Sequence, residues 1–142
     1  MPRIERTANV TWEGNVARGV GRISAATGAY TELPYSLPTR IGAAEGKTSP
    51  EELLASAHAG CLAMSIASEL TQAETPPTRL EVSCTIVMDE VEGQGHQIVA
   101  SQVTIGGDAE GLDDDVVARA HESCPFSTLL KNAGVAVEIS RV

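Results

Sequence analysis

The strongest pattern in the chain is one long stretch without formal charge, residues 53–68, inside SPEELLASAHAGCLAMSIASEL. Its start carries helix signals. Ser49 suits an N-cap, Pro50 suits the first helical position, and Glu51 and Glu52 lie where the helix dipole favours anions. The spacing predicts a helix over about 50–73, stopped by ETPPT. In RLEVSCTIVMDEV, Leu80, Val82, Cys84, Ile86 and Met88 alternate with Glu81, Ser83, Thr85, Val87 and Asp89, the period of a strand with one buried face. EGQG reads as a turn and HQIVASQVTIGG as the partner strand. DDDVVARAHES reads as a helix with acids in its first turn. In CPFSTLLKNAG, Pro125 keeps Cys124 out of the helical region and suits the first helical position. Cys124 is then close to an N-cap, Gly134 marks the stop, and VAVEIS is a last strand.

Upstream of the long helix, ANVTWEGNVARGVGRI has a turn signal at Gly14-Asn15 between two strands, and TGAYTELPYSLPTRIG reads as a short strand followed by loop. The order is βββ–α–ββ–α–α–β. It predicts one α+β domain over residues 1–142 with a mostly antiparallel sheet.

Composition changes this picture in two ways. The aromatics are Trp12, Tyr30, Tyr35 and Phe126, so the core must be built from Ala, Val, Leu and Ile, each burying less area than a ring. A core this thin is expected to lean on an oligomer interface. The net charge is −9 and the ten Lys and Arg residues form no stripe, which disfavours nucleic acid and anionic membranes as partners. The start, MPRIERTANV, shows no secretory signal, and the apolar stretch, with Ser56, His58, Ser65 and Ser68 in it, reads as a buried helix and not a membrane span. Three widely spaced cysteines argue against a disulfide framework and for a reducing, cytoplasmic location.

The candidate chemistry is thiol chemistry. Cys84 lies on the apolar face of a strand and reads as core filler. Cys61 sits in the middle of the apolar helix with His58 one turn earlier. Cys124 at a helix N-terminus faces orphan N–H groups that favour a thiolate, and plain capping is its bland reading. HAGC and HESC repeat a His-x-x-Cys pattern, which leaves a zinc site or a Cys61–His58 acyl-transfer pair open. The bland reading puts His58 and His121 near helix surfaces, bonded to backbone or solvent. Arg40, in LPTRIG, is either a solvated loop cation or a fixed charge that lowers a thiol pKa. Glu51 is explained by the dipole, or by holding Arg40. Glu51 and Cys61, ten residues apart, are separated by about 15 Å on a straight helix and cannot touch directly.

YSLPTRIGAAEGKTSPEELLASAHAGCLAMSIASEL, followed by CPFSTLLKN, resembles the OsmC/Ohr family of thiol peroxidases, and TWEGNVARGVGRIS resembles its OsmC branch. The likeness runs over nearly the whole chain, with Ser49 standing where the family usually has Asn. The resemblance implies an OsmC-like fold with antiparallel sheets around a long central helix, in an intertwined homodimer. It implies reduction of organic hydroperoxides, with Cys61 as peroxidatic and Cys124 as resolving cysteine, joined by a disulfide in the cycle. Glu51 and Arg40 match the family's glutamate and arginine, with Arg18 the alternative cation. It further implies an external dithiol reductant, of lipoyl type or another small dithiol, and no cofactor.

Overall fold

The computed structural model describes residues 2–142, which form two compact units divided between Pro50 and Glu51. The first is a three-stranded antiparallel meander, β1 (Ala8–Glu13), β2 (Val20–Ala25) and β3 (Leu33–Tyr35), in that spatial order. Gly21 pairs with Trp12 on one side and Tyr35 on the other. A side chain at Gly21 would overlap the Tyr35 ring, so the missing Cβ lets the two aromatics meet edge to face, 5.8 Å between centroids.

The strand–loop expectation for 27–42 misses a helix. After β3 the chain forms α1 (Leu37–Ile41), opened by a reciprocal capping box between Ser36 and Thr39. Two features hid it: a box closed by Thr where Glu or Gln is usual, and a proline that read as a loop signal but is tolerated in a first helical turn.

The second unit begins with α2 (Pro50–Gln72) and continues with a sheet ordered β4 (Arg79–Val91), β5 (Gly95–Asp108), β6 (Ala136–Arg141). β4 and β5 form an antiparallel hairpin. β6 runs parallel to β5, which requires a crossover, here made by α3 (Asp114–Ser123) and α4 (Pro125–Asn132). The predicted alternation on β4 holds as far as Ile86. A register shift at Val87/Met88 then breaks it, and Val87 and Met88 are both half-buried. α3 is capped by Asp113, whose carboxylate accepts from the Val116 N–H at 2.8 Å. Gly134, at φ +85°, takes the left-handed position just past α4 that favours glycine.

The core joins Leu62, Ile66 and Leu70 of α2, Val103 and Ile105 of β5, Val116, Val117 and Ala120 of α3, and Cys124. Only one stripe of α2 is buried: His58, Leu62, Ile66 and Leu70, each four residues apart. The buried helix expected from the apolar stretch is thus buried along one face. By length and composition α2 is long enough to cross a bilayer, yet this face is packed against protein, while Met64 is 76% exposed.

Ile66 has no exposed surface. Ile66→Ala is expected to lower unfolding free energy by about 2–5 kcal/mol, read from the urea midpoint at unchanged m-value. A loss below about 1 kcal/mol would place the core elsewhere.

Candidate functional site: a thiol pair at a helix N-terminus

Cys124 is the hinge between α3 and α4. Its backbone N–H closes α3 on the Ala120 carbonyl, and its side chain opens α4 as the N-cap. Pro125 holds it in the extended region (φ −75°, ψ 114°), which turns the side chain back over the first helical turn. There the Ser127 N–H donates to Cys124 Sγ at 3.4 Å. The Ser127 hydroxyl and the Phe126 N–H also serve this sulfur. The side chain is fully buried.

Cys61 lies beside the buried stripe of α2, half-buried, and packs against the same core. Its thiol is within hydrogen-bonding reach of the Cys124 sulfur. Two cysteines far apart in the sequence are thus neighbours, both as free thiols. The environment separates their acidities. Burial pushes the Cys124 thiol up, but donors from Ser127, Cys61 and Phe126 outweigh it and bring it below its ordinary value. Burial raises Cys61. Donation to Cys124 raises it further, because Cys61 must keep its proton to donate, and the Phe126 N–H offsets only part of this. The pair in its anionic form is therefore a Cys61 thiol donating to a Cys124 thiolate.

His58 corrects the surface reading. It has no exposed surface; its Nδ1 is 2.7 Å from Ser101 Oγ and its Nε2 is 2.8 Å from Ser127 Oγ. With both ring nitrogens engaged by serines, His58 has no lone pair free for zinc or for deprotonating Cys61. Among the described residues no group of three or more His, Cys, Asp or Glu is arranged to hold a metal. Cys84 is more than filler, since its sulfur lies 3.2 Å from Ser101 Oγ. His121 has a buried Nδ1 without a hydrogen-bond partner and lowers the basicity of His58 from nearby.

Ser101 and Ser127 are the functional candidates that the sequence reading missed. Ser101 shares its inward face of β5 with Val103 and Ile105, all essentially unexposed. A hydroxyl at an inward strand position needs a partner, and that was the available signal. Ser127 is the third residue of α4, where its N–H donates to the capping Cys124 sulfur.

Glu51 stands in the first turn of α2, which runs as one helix from Pro50 to Gln72. Glu51 is therefore about 15 Å along the axis from Cys61. Arg40 is in the last turn of α1 and, within the first unit, helps line a cavity of about 180 Å³ with Trp12, Val16, Tyr35 and Leu37. Arg18 lines a different cavity, of about 360 Å³, with Glu13, Asn15 and Arg22. That one is polar and carries charges of both signs.

Comparison with known proteins gives one consistent answer. The family described as OsmC-like protein matches residues 42–140. Peroxiredoxin OsmC of Escherichia coli (strain K12) is 32% identical over 132 residues, covering 90% of this chain and 91% of the relative. An organic hydroperoxide resistance protein-like relative from Mycoplasma genitalium is 25% identical over 79% of each chain. Among solved structures, the organic hydroperoxide resistance protein OsmC of Legionella pneumophila superposes with a TM-score of 0.75 at 21% identity, over 98% of both chains. OhrB of Bacillus subtilis gives 0.74 at 24% identity, over 96% of this chain and 98% of that one. At these identities the structural likeness shows a common fold.

Burial, with His121 adding to it, holds His58 below its ordinary 6.5. As pH falls through that value the unfolded chain takes up a proton at His58 and the folded chain does not. The contribution of His58 to stability is therefore complete above 6.5 and lost as pH falls toward its folded value. Urea midpoints taken from neutral pH downward are expected to carry a slope of up to about 1.4 kcal/mol per pH unit from this group. His58→Leu should lack it, and equal slopes in the two proteins would contradict the assignment.

Proposed function

The chain belongs to the OsmC-like family, and on that premise we propose that it is a cysteine-based peroxidase that reduces organic hydroperoxides to alcohols. Relatives named for peroxiredoxin activity and for organic hydroperoxide resistance support a role of the peroxidase type. The observation that carries the finer reading is the contact between the Cys61 thiol and the donor-caged Cys124 sulfur.

The chemistry follows from that contact. In its anionic form the pair holds one proton between two sulfurs. When the proton passes from Cys61 to Cys124, the Cys61 thiolate attacks the terminal oxygen of ROOH. An S–O bond forms, the O–O bond breaks, and the alkoxide leaves with the proton from Cys124 as ROH. Cys61 is then a sulfenic acid and Cys124 is again a thiolate. Cys124 attacks the Cys61 sulfur and displaces hydroxide, which takes a proton from solvent; the products are a Cys61–Cys124 disulfide and water. An external dithiol, of lipoyl or similar type, restores both thiols by exchange and is itself oxidised to its disulfide. Cys124, the more acidic thiol, is the better leaving group in that step.

Arg40 is the proposed cation that draws negative charge onto Cys61, with Glu51 as its support. Its apolar, aromatic-lined cavity suits an alkyl or aryl peroxide better than the polar cavity of Arg18 does. The working unit is proposed to be a homodimer. Val10, Val16, Ile41 and Met64 are each more than half exposed, and a second copy would cover them. Three free thiols suit a reducing, cytoplasmic location.

Cumene hydroperoxide consumption with dithiothreitol as reductant tests the reading. Cys61→Ser should abolish it. Cys124→Ser, assayed without dithiothreitol, should consume one equivalent and accumulate a dimedone-reactive Cys61. Arg40→Ala should lower kcat/KM by about 10²-fold or more, the scale of losing one charged stabilising group. Undiminished turnover in Cys61→Ser would overturn the proposal. For assembly, light scattering should give twice the 14.8 kDa chain mass. A stable, active monomer would exclude the dimer.

A further inference from the structure

Five side chains from four separate elements form one continuous chain of polar contacts: half-buried Cys84, then buried Ser101, His58, Ser127 and Cys124. The steps are 3.2 Å from Cys84 Sγ to Ser101 Oγ, 2.7 Å from Ser101 Oγ to His58 Nδ1, and 2.8 Å from His58 Nε2 to Ser127 Oγ. Ser127 then serves Cys124 through both its N–H and its hydroxyl. No step of the proposed peroxide chemistry uses His58 or Ser101. Yet His58, Ser101, Ser127 and Cys124 have no exposed surface, and buried polar groups are costly unless each is paired.

We propose that His58 is a positioning residue for Cys124: clamped between Ser101 and Ser127, it turns the hydroxyl hydrogen of Ser127 toward the Cys124 sulfur. Hydrogen counting fixes the direction. A hydroxyl has one hydrogen to give, and a thiolate at Cys124 can only accept. If Ser127 gives its hydrogen to Cys124, its oxygen must accept from His58, so Nε2 carries the proton. A neutral imidazole then has a bare Nδ1, which accepts from the Ser101 hydroxyl, and Ser101 in turn accepts from the Cys84 thiol. Every donor in the row is used once and none points at another donor.

The opposite direction would make Ser127 donate to His58 and turn its oxygen's lone pairs toward a thiolate, which is repulsive. A protonated His58 would also break the row, because Nδ1–H and the Ser101 hydroxyl would compete as donors. The titratable groups around His58 are His121 of α3, Cys84 of β4 and Cys124, and neither burial nor His121 favours the imidazolium. His58 acts on the thiol only through Ser127. It does not touch Cys61 or a reacting oxygen.

The consequence for catalysis rests on the peroxidase reading, because a sharper Cys124 thiolate closes and reopens the disulfide faster. The positioning role is independent of turnover, and the experiment reads it directly. Thiolate ultraviolet absorbance is titrated in Cys61→Ser protein, with Cys61→Ser/Cys124→Ser protein subtracted to isolate Cys124. Adding Ser127→Ala is expected to raise the Cys124 pKa by about one unit, the scale of one hydrogen bond to a charged group. Adding His58→Leu should raise it by a similar amount. His58→Gln, whose amide can still donate to Ser127, should restore most of the difference. His58→Leu combined with Ser127→Ala should titrate like Ser127→Ala alone, because the histidine works through the serine.

A Cys124 pKa unmoved by His58→Leu in a protein that retains native circular dichroism would overturn the proposal, as would full additivity of the two substitutions. Should His58→Leu fail to fold, Ser101→Ala tests the same row from its other side. It frees Nδ1 to carry the proton and should also raise the Cys124 pKa, and no change would count against the proposal. Loss of peroxidase activity in the unmutated protein would sink the peroxidase reading and leave this titration intact.

Discussion

A sulfur with no exposed surface, facing N–H and O–H donors at the start of an eight-residue helix, is the constraint on which the site depends. Burial alone would push the Cys124 thiol up. The hydrogen bonds from Ser127, Cys61 and Phe126 outweigh it and bring the thiol below its ordinary value. The same contacts make Cys61 the proton holder of the pair, so the two thiols are chemically unequal before any substrate arrives. That inequality assigns different tasks to two residues of the same type.

The fold exists around this contact in a specific sense. The parallel pairing of β5 with β6 obliges the chain to cross over, and the crossover is broken into α3 and α4 at Cys124. The break creates a helix N-terminus inside the core, against the single buried stripe of α2 that carries His58 and flanks Cys61. One continuous apolar helix without that break could seal the sheet equally well, but it would present no free N–H groups to a sulfur.

Much of this was legible in the sequence where the signal is local. Pro125 marked Cys124 as an N-cap, the Ser-Pro-Glu-Glu start located the beginning of α2, and the alternation on β4 held until its register shift. α1 was missed because its capping box ends in Thr39. His58 was misjudged for a different reason. Its partners, Ser101 and Ser127, lie 43 and 69 residues away, and no local pattern encodes contacts of that range. The same holds for the Cys61–Cys124 contact, which the family likeness implied and which local physics alone did not require. The likeness of sequence and fold to OsmC and organic hydroperoxide resistance proteins is therefore the stronger guide to function, and the side-chain geometry the stronger guide to how each thiol behaves.

Peptide mapping of the unmutated protein under non-reducing conditions, after one equivalent of cumene hydroperoxide, tests the central claim most directly. The account predicts a single cross-linked peptide joining Cys61 to Cys124, with Cys84 recovered as a free thiol. A cross-link that includes Cys84, or oxidised Cys61 beside a Cys124 that remains reduced, would contradict it.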